Sequence, residues 1–292
     1  MICSSTLSKS NINVKNPQNN DSQPIKSLLA QVADIRGETV VIKLPAEIIN
    51  DDKKLINFAQ NIYLLSIHEV NIIIVHDYSQ VVDTTLQLLG VQEEKVKYKN
   101  TTDYHITQII EMVLVGQVNK KIVSSLCNVG CVAVGISGKD ANLIEAKKSK
   151  VAYLNEVRES ESIIDLQFVS EPAAVNPEIL TSFEDANLVT VISPVSSGPN
   201  NSTCLLDVDV TAAIIASSMT AKYLIFLTEF KDNDVQYKNY TLTQFKKLYK
   251  NNQETSISQP IIQATINSLE NNVEKVKIIN STVLDALITG FF

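Results

Sequence analysis

Apolar positions recur along the chain in two alternating patterns. Ile25, Leu28, Leu29, Val32 and Ile35 fall at helical spacing, predicting a short amphipathic helix over about 25–35 that Gly37 ends. Thr39–Lys43 is apolar on both faces, as a buried parallel strand is. Asp51 and Asp52 can cap a helix to about His68, with Leu55, Phe58, Ile62 and Leu65 on one face. Asn71–His76 (NIIIVH) reads as a second buried strand, and 80–89 as a helix stopping at Gly90. Helices follow at about 103–115 and 118–128, broken near Gly116, then a strand at Cys131–Gly135. Residues 141–172 read as a hairpin-like insertion of short strands. Asn176-Pro177-Glu178 opens a helix over about 176–183, Leu188–Ile192 is a strand, and Ser193–Thr203 a polar loop.

The second half repeats the alternation. Helices are expected at about 209–219, 241–249, 258–270 and 282–289, with strands at Tyr223–Thr228 and Val273–Ile279. Strands that are apolar throughout and alternate with helices predict an α/β fold: a three-layer αβα sandwich around a mainly parallel sheet. Residues 1–23 are polar, rich in Ser and Asn and without arginine, and are read as a disordered tail, with organelle targeting as the alternative. Residues 24–292 form the domain, with lobes at about 24–190 and 191–292.

Hydrophobic residues make up 45% of the 292, enough for a sizeable core. The net charge of -7 argues against a nucleic-acid surface. No apolar run is long enough to span a bilayer, and no secretory leader is legible, so a cytoplasmic protein is expected. Cys3, Cys127, Cys131 and Cys204 include no CxxC pair, which fits buried thiols in a reducing compartment rather than a metal site. Glycine changes the picture most. Only 8 occur, with no GG and no GxG, so the chain offers almost no loop whose backbone can approach a phosphate. Gly135–Asp140 (GISGKD) lacks P-loop spacing, and Asn201-Ser202-Thr203 is an accidental glycosylation pattern.

Several segments carry a resemblance. They include Thr39–Lys43 (TVVIK), Ile74–His76 (IVH), Leu89–Val91 (LGV), Glu111–Val123 (EMVLVGQVNKKIV) and Val134–Leu143 (VGISGKDANL). Val175–Leu180 (VNPEIL), Ile192–Val195 (ISPV), Asp207–Ala216 (DVDVTAAIIA) and Leu269–Ile279 (LENNVEKVKII) follow in order. Over about 25–289 the chain resembles the acetylglutamate kinases of the amino-acid kinase family. That resemblance implies a carbamate-kinase-like fold and transfer of the γ-phosphoryl of ATP, with Mg2+, to the side-chain carboxylate of N-acetylglutamate. Such chemistry is mostly positioning and neutralisation of developing charge. The family uses two lysines, two glycine-rich loops, an aspartate that orients the lysines, and an arginine and asparagine for the substrate.

Carried over position by position, little of this apparatus remains. The first lysine is Lys43 and the orienting aspartate is Asp209, the two catalytic remnants. The first glycine pair is Pro45 and Ala46, and proline has no N–H to donate. The His-Gly-Gly-Gly loop reads His76-Asp77-Tyr78-Ser79. A carboxylate there opposes a phosphoryl group by about 4 kcal/mol at ~4 Å and an effective dielectric of ~20. The substrate arginine is Asn100, and the two asparagines are Leu205 and Asp207. The second lysine position is Ile261, after Pro260, and the glycines before it are Ser256 and Ile257. The nucleotide-side motif reads Glu229-Phe230-Lys231-Asp232.

Three functions follow as expectations: a catalytically impaired scaffold or partner subunit beside an active paralogue, a divergent working kinase with Lys222 or Lys231 as second cation, or a small-molecule sensor. ATP and Mg2+ enter only if the family activity survives. The resemblance of 111–123 to the family's dimer region predicts a homodimer; the 25–35 helix resembles an N-terminal helix of the family's hexameric branch and is read either as a hexamer contact or as a helix packed on its own subunit.

Overall fold

The computed structural model describes residues 33–91, 104–148, 152–153, 162–163, 169–198, 201–230, 237–238, 241–251, 257–282, 285 and 287–288. Met1–Asp34 separates as one unit, described only at Ala33 and Asp34, so most of the expected 25–35 helix lies outside the described residues. Ile35–Phe292 forms the other unit.

Apolar runs become the strands of a seven-stranded sheet in the order β12-β13-β11-β1-β2-β8-β3. These are β1 (Thr39–Leu44), β2 (Asn71–His76), β3 (Ala133–Ser137), β8 (Val189–Ser193), β11 (Tyr223–Thr228), β12 (Tyr237–Lys238) and β13 (Lys275–Asn280). Six run parallel, and β12 pairs antiparallel with β13 at the edge. Alternate residues of β1 serve opposite faces: Val40 and Ile42 join one core cluster and Val41 the other. Burial on both faces is why these strands read as continuous apolar runs.

The first face is covered by α1 (Ala46–Ile49), α2 (Asp52–Ser66), α3 (Gln80–Leu88), α4 (Tyr104–Glu111) and α5 (Asn119–Asn128). The second is covered by α6 (Glu178–Asp185), α7 (Val208–Ser218), α8 (Leu242–Asn251) and α9 (Gln259–Glu270). The fold is therefore the expected three-layer sandwich. Asp51 caps α2 by accepting from the Lys53 and Lys54 amides, and Ser79 caps α3.

Two local expectations fail. Gly116 does not break the helix: Met112–Val118 is a π-helical segment that joins α4 to α5 without interruption. The segment 193–203 is not simply a polar loop. It contributes β9 (Val195–Ser197) and leads into β10 (Thr203–Leu206). With β4 (Ile144–Lys148) and β7 (Val169–Val175) these close into a four-stranded barrel. The hydroxyl of buried Ser196 bonds the Ile144 carbonyl, so a serine that looks like loop is a satisfied core residue. Between β4 and β7, β5 (Ala152–Tyr153) pairs with β6 (Ser162–Ile163), in the region read as a hairpin-like insertion.

Candidate functional site

In an open parallel sheet, ligands bind outside the carboxyl ends of the strands. Here that rim collects Leu44, His76, Ser137, Ser193, Thr228 and Asn280. Lys43, one residue before the end of β1, is 7% exposed. Its Nζ lies 3.0 Å from Asp77 Oδ2 and 3.6 Å from Asp209 Oδ1. Burial lowers the Lys43 pKa, but Asp77 and Asp209 outweigh it and hold the group above its ordinary value. Glu47 adds to that field and accepts from Ser281 Oγ at 3.1 Å. The structure thus unites Lys43, Asp77 and Asp209 and adds Glu47, which sequence reasoning missed. The signal was present: Glu47 follows Lys43 by four residues, on the first turn after the strand.

The loop after Lys43 is not an open cradle. Pro45 is the N-cap of α1, which buries Ile48 and Ile49 in the core. Asn50 closes the turn, and its Oδ1 accepts from Ser79 Oγ at 2.6 Å and from the Gln80 amide at 3.1 Å. The second loop is equally committed. Asp77 Oδ1 accepts from the Tyr78 amide at 2.8 Å, so one oxygen of this carboxylate serves the backbone and the other the lysine. The half-buried Tyr78 hydroxyl donates to the Leu206 carbonyl at 3.4 Å, and burial pushes its phenol up.

His76 is fully buried. Its Nδ1 sits 3.0 Å from the Asp77 carbonyl, which can only accept, so Nδ1 carries the proton and Ser193 Oγ, 2.9 Å away, donates to Nε2. Burial lowers the imidazole pKa to about 4. A neutral ring bonded at both nitrogens, with Ser193 as fully buried as the ring itself, is a structural pin.

Asp207 is placed on the same rim but is the N-cap of α7, its Oδ1 accepting from the Val210 amide at 3.1 Å. Leu205 is 2% exposed and packs in the core. Ile261, in the first turns of α9, is 3% exposed among the apolar side chains of the second core cluster. Phe230 and Ile257 belong to that cluster too, so three positions that the resemblance assigns to nucleotide or second lysine are core residues. Asn100, Ser256, Lys231 and Asp232 lie outside the described residues. Lys222 cannot stand in for the missing cation. Its amide donates to the Thr39 carbonyl at the opposite end of β1, and its Nζ lies 3.3 Å from Glu38.

The described residues do not fit a nucleotide triphosphate with its metal. The Pro45 position has no amide to offer, the Lys43 ammonium is occupied by carboxylates, and its expected counterpart is buried isoleucine. A second polar cluster sits nearby on the rim. Lys139 Nζ is 2.6 Å from Glu111 Oε1 and 2.8 Å from Thr203 Oγ1, and Thr203 donates to Glu111 Oε2 at 2.7 Å. This ties the end of α4 to the turn after β3 and to the barrel.

Six parallel strands with helices on both faces, and a lysine–aspartate pair at their carboxyl rim, define an α/β sandwich with a strand-end site. The amino acid kinase family profile matches residues 38–280, and the chain belongs to that family. Within it the chain is acetylglutamate kinase-like. It is 32% identical over 260 residues to the acetylglutamate kinase of Marinobacter nauticus, covering 88% of this chain and 90% of that one. It is 36% identical over 210 residues to that of Ehrlichia ruminantium, covering 72% of this chain and 65% of that one. Among solved structures, carbamate kinase from Giardia superposes with a TM-score of 0.61 at 15% identity, over 86% of this chain and 96% of that one. N-acetylglutamate synthase from Neisseria gonorrhoeae, in complex with coenzyme A and N-acetyl-glutamate, gives 0.71 at 18% identity. This chain is matched over 92% of its length and spans 60% of that one, and these two likenesses concern the fold alone.

Proposed function

We propose that this acetylglutamate kinase-like protein of arginine biosynthesis has weak or no phosphoryl transfer and acts through protein contacts, as a scaffold or partner subunit of an intact relative. One observation carries the reading: Lys43, the only retained lysine of the pair, is already neutralised by Asp77 at 3.0 Å and Asp209 at 3.6 Å. A transferring phosphoryl group needs cations and amide donors preorganised around it, and each missing donor costs about 10²–10³ in rate. Asp77 stands where the family has glycine, so the rim carries a fixed anion, and the Asp77 amide is committed to the Leu44 carbonyl at 2.8 Å.

The reading extends to assembly and place. β3 pairs only with β8 among the described residues, leaving an edge for a homodimer, and the site of action is cytoplasmic. A hexamer through the 25–35 helix belongs to the same proposal.

Purified protein with ATP, magnesium and N-acetylglutamate is assayed for ADP release. Background rates, unchanged by Lys43→Ala, are the expected result. Turnover that Lys43→Ala abolishes would establish the second reading, a divergent working kinase. That reading draws on the retained Lys43–Asp209 pair.

A further inference from the structure

A cleft of about 410 Å³ opens between α7, α9 and the β4–β7 hairpin. Its volume falls within the roughly 300–1,000 Å³ range of small-molecule sites. It exists because the facing helix positions are small. Ala213 and Ser217 on α7 oppose Ala264 and Ser268 on α9, so no side chain fills the space. The serine hydroxyls turn back to their own helices, donating to the Ala213 and Ala264 carbonyls at 2.9 and 2.8 Å. The floor is apolar, with Val210, Ile214 and buried Pro172. The bulge in the hairpin between Glu145 and Ala146 lies beside the Ala146–Pro172 pair. Lys43 and Ile261 take no part in the lining, so the cleft is separate from the strand-end rim.

The polar groups at its mouth come in complementary halves. Lys147 Nζ and Glu171 Oε2 stand 3.9 Å apart on paired strands, a loose and solvated contact. On the α9 side, Asn267 Oδ1 accepts from Gln263 Nε2 at 2.7 Å, which directs the donors of its own amide elsewhere. Asn271 Nδ2 donates to the Asn267 carbonyl at 2.7 Å, which leaves its Oδ1 as acceptor. The cleft therefore offers one cation, one anion, one amide donor and one amide acceptor above an apolar floor. A simple anion meets Glu171, and a simple cation meets Lys147. A molecule carrying both charges a few bonds apart satisfies each.

We infer that this cleft binds a free α-amino acid with an uncharged side chain, its carboxylate toward Lys147 and Asn267 and its ammonium toward Glu171 and Asn271. The side chain lies on Val210, Ile214 and Pro172. The inference does not depend on whether the protein transfers phosphate.

The test is calorimetric titration of the full chain with leucine, valine and glutamine, each beside its N-acetyl and its carboxamide derivative. Saturable binding by at least one free amino acid is expected, weakened by about tenfold or more when either charge is removed, a loss of about 1.4 kcal/mol per tenfold. Lys147→Ala, an exposed change that leaves the fold intact, produces a similar loss. Ala213→Phe, checked for native unfolding behaviour, abolishes binding by filling the cleft. No heat with any free amino acid at millimolar concentration overturns the proposal. So does binding indifferent to Lys147→Ala or to N-acetylation.

Discussion

The family resemblance assigns a cation to Lys43 and another to Ile261, and the two positions differ in kind. At the end of β1 the ammonium is present and is neutralised by two carboxylates, Asp77 at 3.0 Å and Asp209 at 3.6 Å. At the start of α9 the charge is gone, and the position has been absorbed into an apolar cluster with Ile257, Phe230 and Phe245. The first change is electrostatic and local, and a single substitution acts on it. The second is a change of solvent: the side chain now belongs to the core, and reversing it costs folding energy. Of two positions that the resemblance assigns to one site, one thus keeps its charge among carboxylates and the other is part of the core.

The largest effect expected from breaking this contrast is at Ile261. Ile261→Lys places an ammonium where the native side chain is 3% exposed, and should lower stability by about 4 kcal/mol, read as a fall in the urea midpoint. It should restore no ADP release. Lys43→Met comes next. It leaves Asp77 and Asp209 facing each other without a counter-charge. Buried pairs broken this way lose about 3–5 kcal/mol; with side-chain exposures of 25% and 14% for the carboxylates, about 2 kcal/mol is expected here. Asp77→Asn on that background should recover part of the loss, measured as a double-mutant cycle.

The pH dependence separates neighbours on the same rim. His76 titrates near 4 when folded and near 6.5 when unfolded, so the unfolded chain binds the extra proton between those values. Stability should fall on acidification through that window, by at most about 1.4 kcal/mol per pH unit, and His76→Gln should flatten the slope. Lys43, held above its ordinary 10.5, works in the opposite direction. Its contribution is complete below that value and is lost as pH rises through the folded pKa. The smallest effect is at the surface: Arg36→Ala, which removes an exposed pair with Glu69 at 2.8 Å, should change stability by less than about 1 kcal/mol.

The sheet was legible because its strands are buried on both faces. Asn71–His76 and Tyr223–Thr228 have the same ends in sequence and structure. The barrel was not, because Ser196 and Thr203 are polar residues whose burial depends on partners far along the chain. The π segment was hidden by Gly116, which has the look of a breaker and sits inside a continuous helix. Of the rim, Lys43, Asp77 and Asp209 were placed by the family resemblance, and they lie at the end of β1, after β2 and in the first turn of α7; the core role of Ile261 agrees with its apolar character. The Lys139–Glu111–Thr203 cluster could not, since its members are 28 and 64 residues apart and no local pattern joins them.

The wide turn at Met112–Val118 also sets what lengths this region of the chain can have. A π turn takes up one residue more than ordinary helix, so deleting one residue here would let it rewind as α-helix while the flanking helices keep their places. Asn119 would keep donating to the Ile136 and Val191 carbonyls, at 3.3 and 3.0 Å, and Lys121 to the Ile49 carbonyl, at 3.0 Å. A deletion within Asn119–Asn128, which is ordinary helix with no surplus residue, would instead turn those donors away from their acceptors by about 100°.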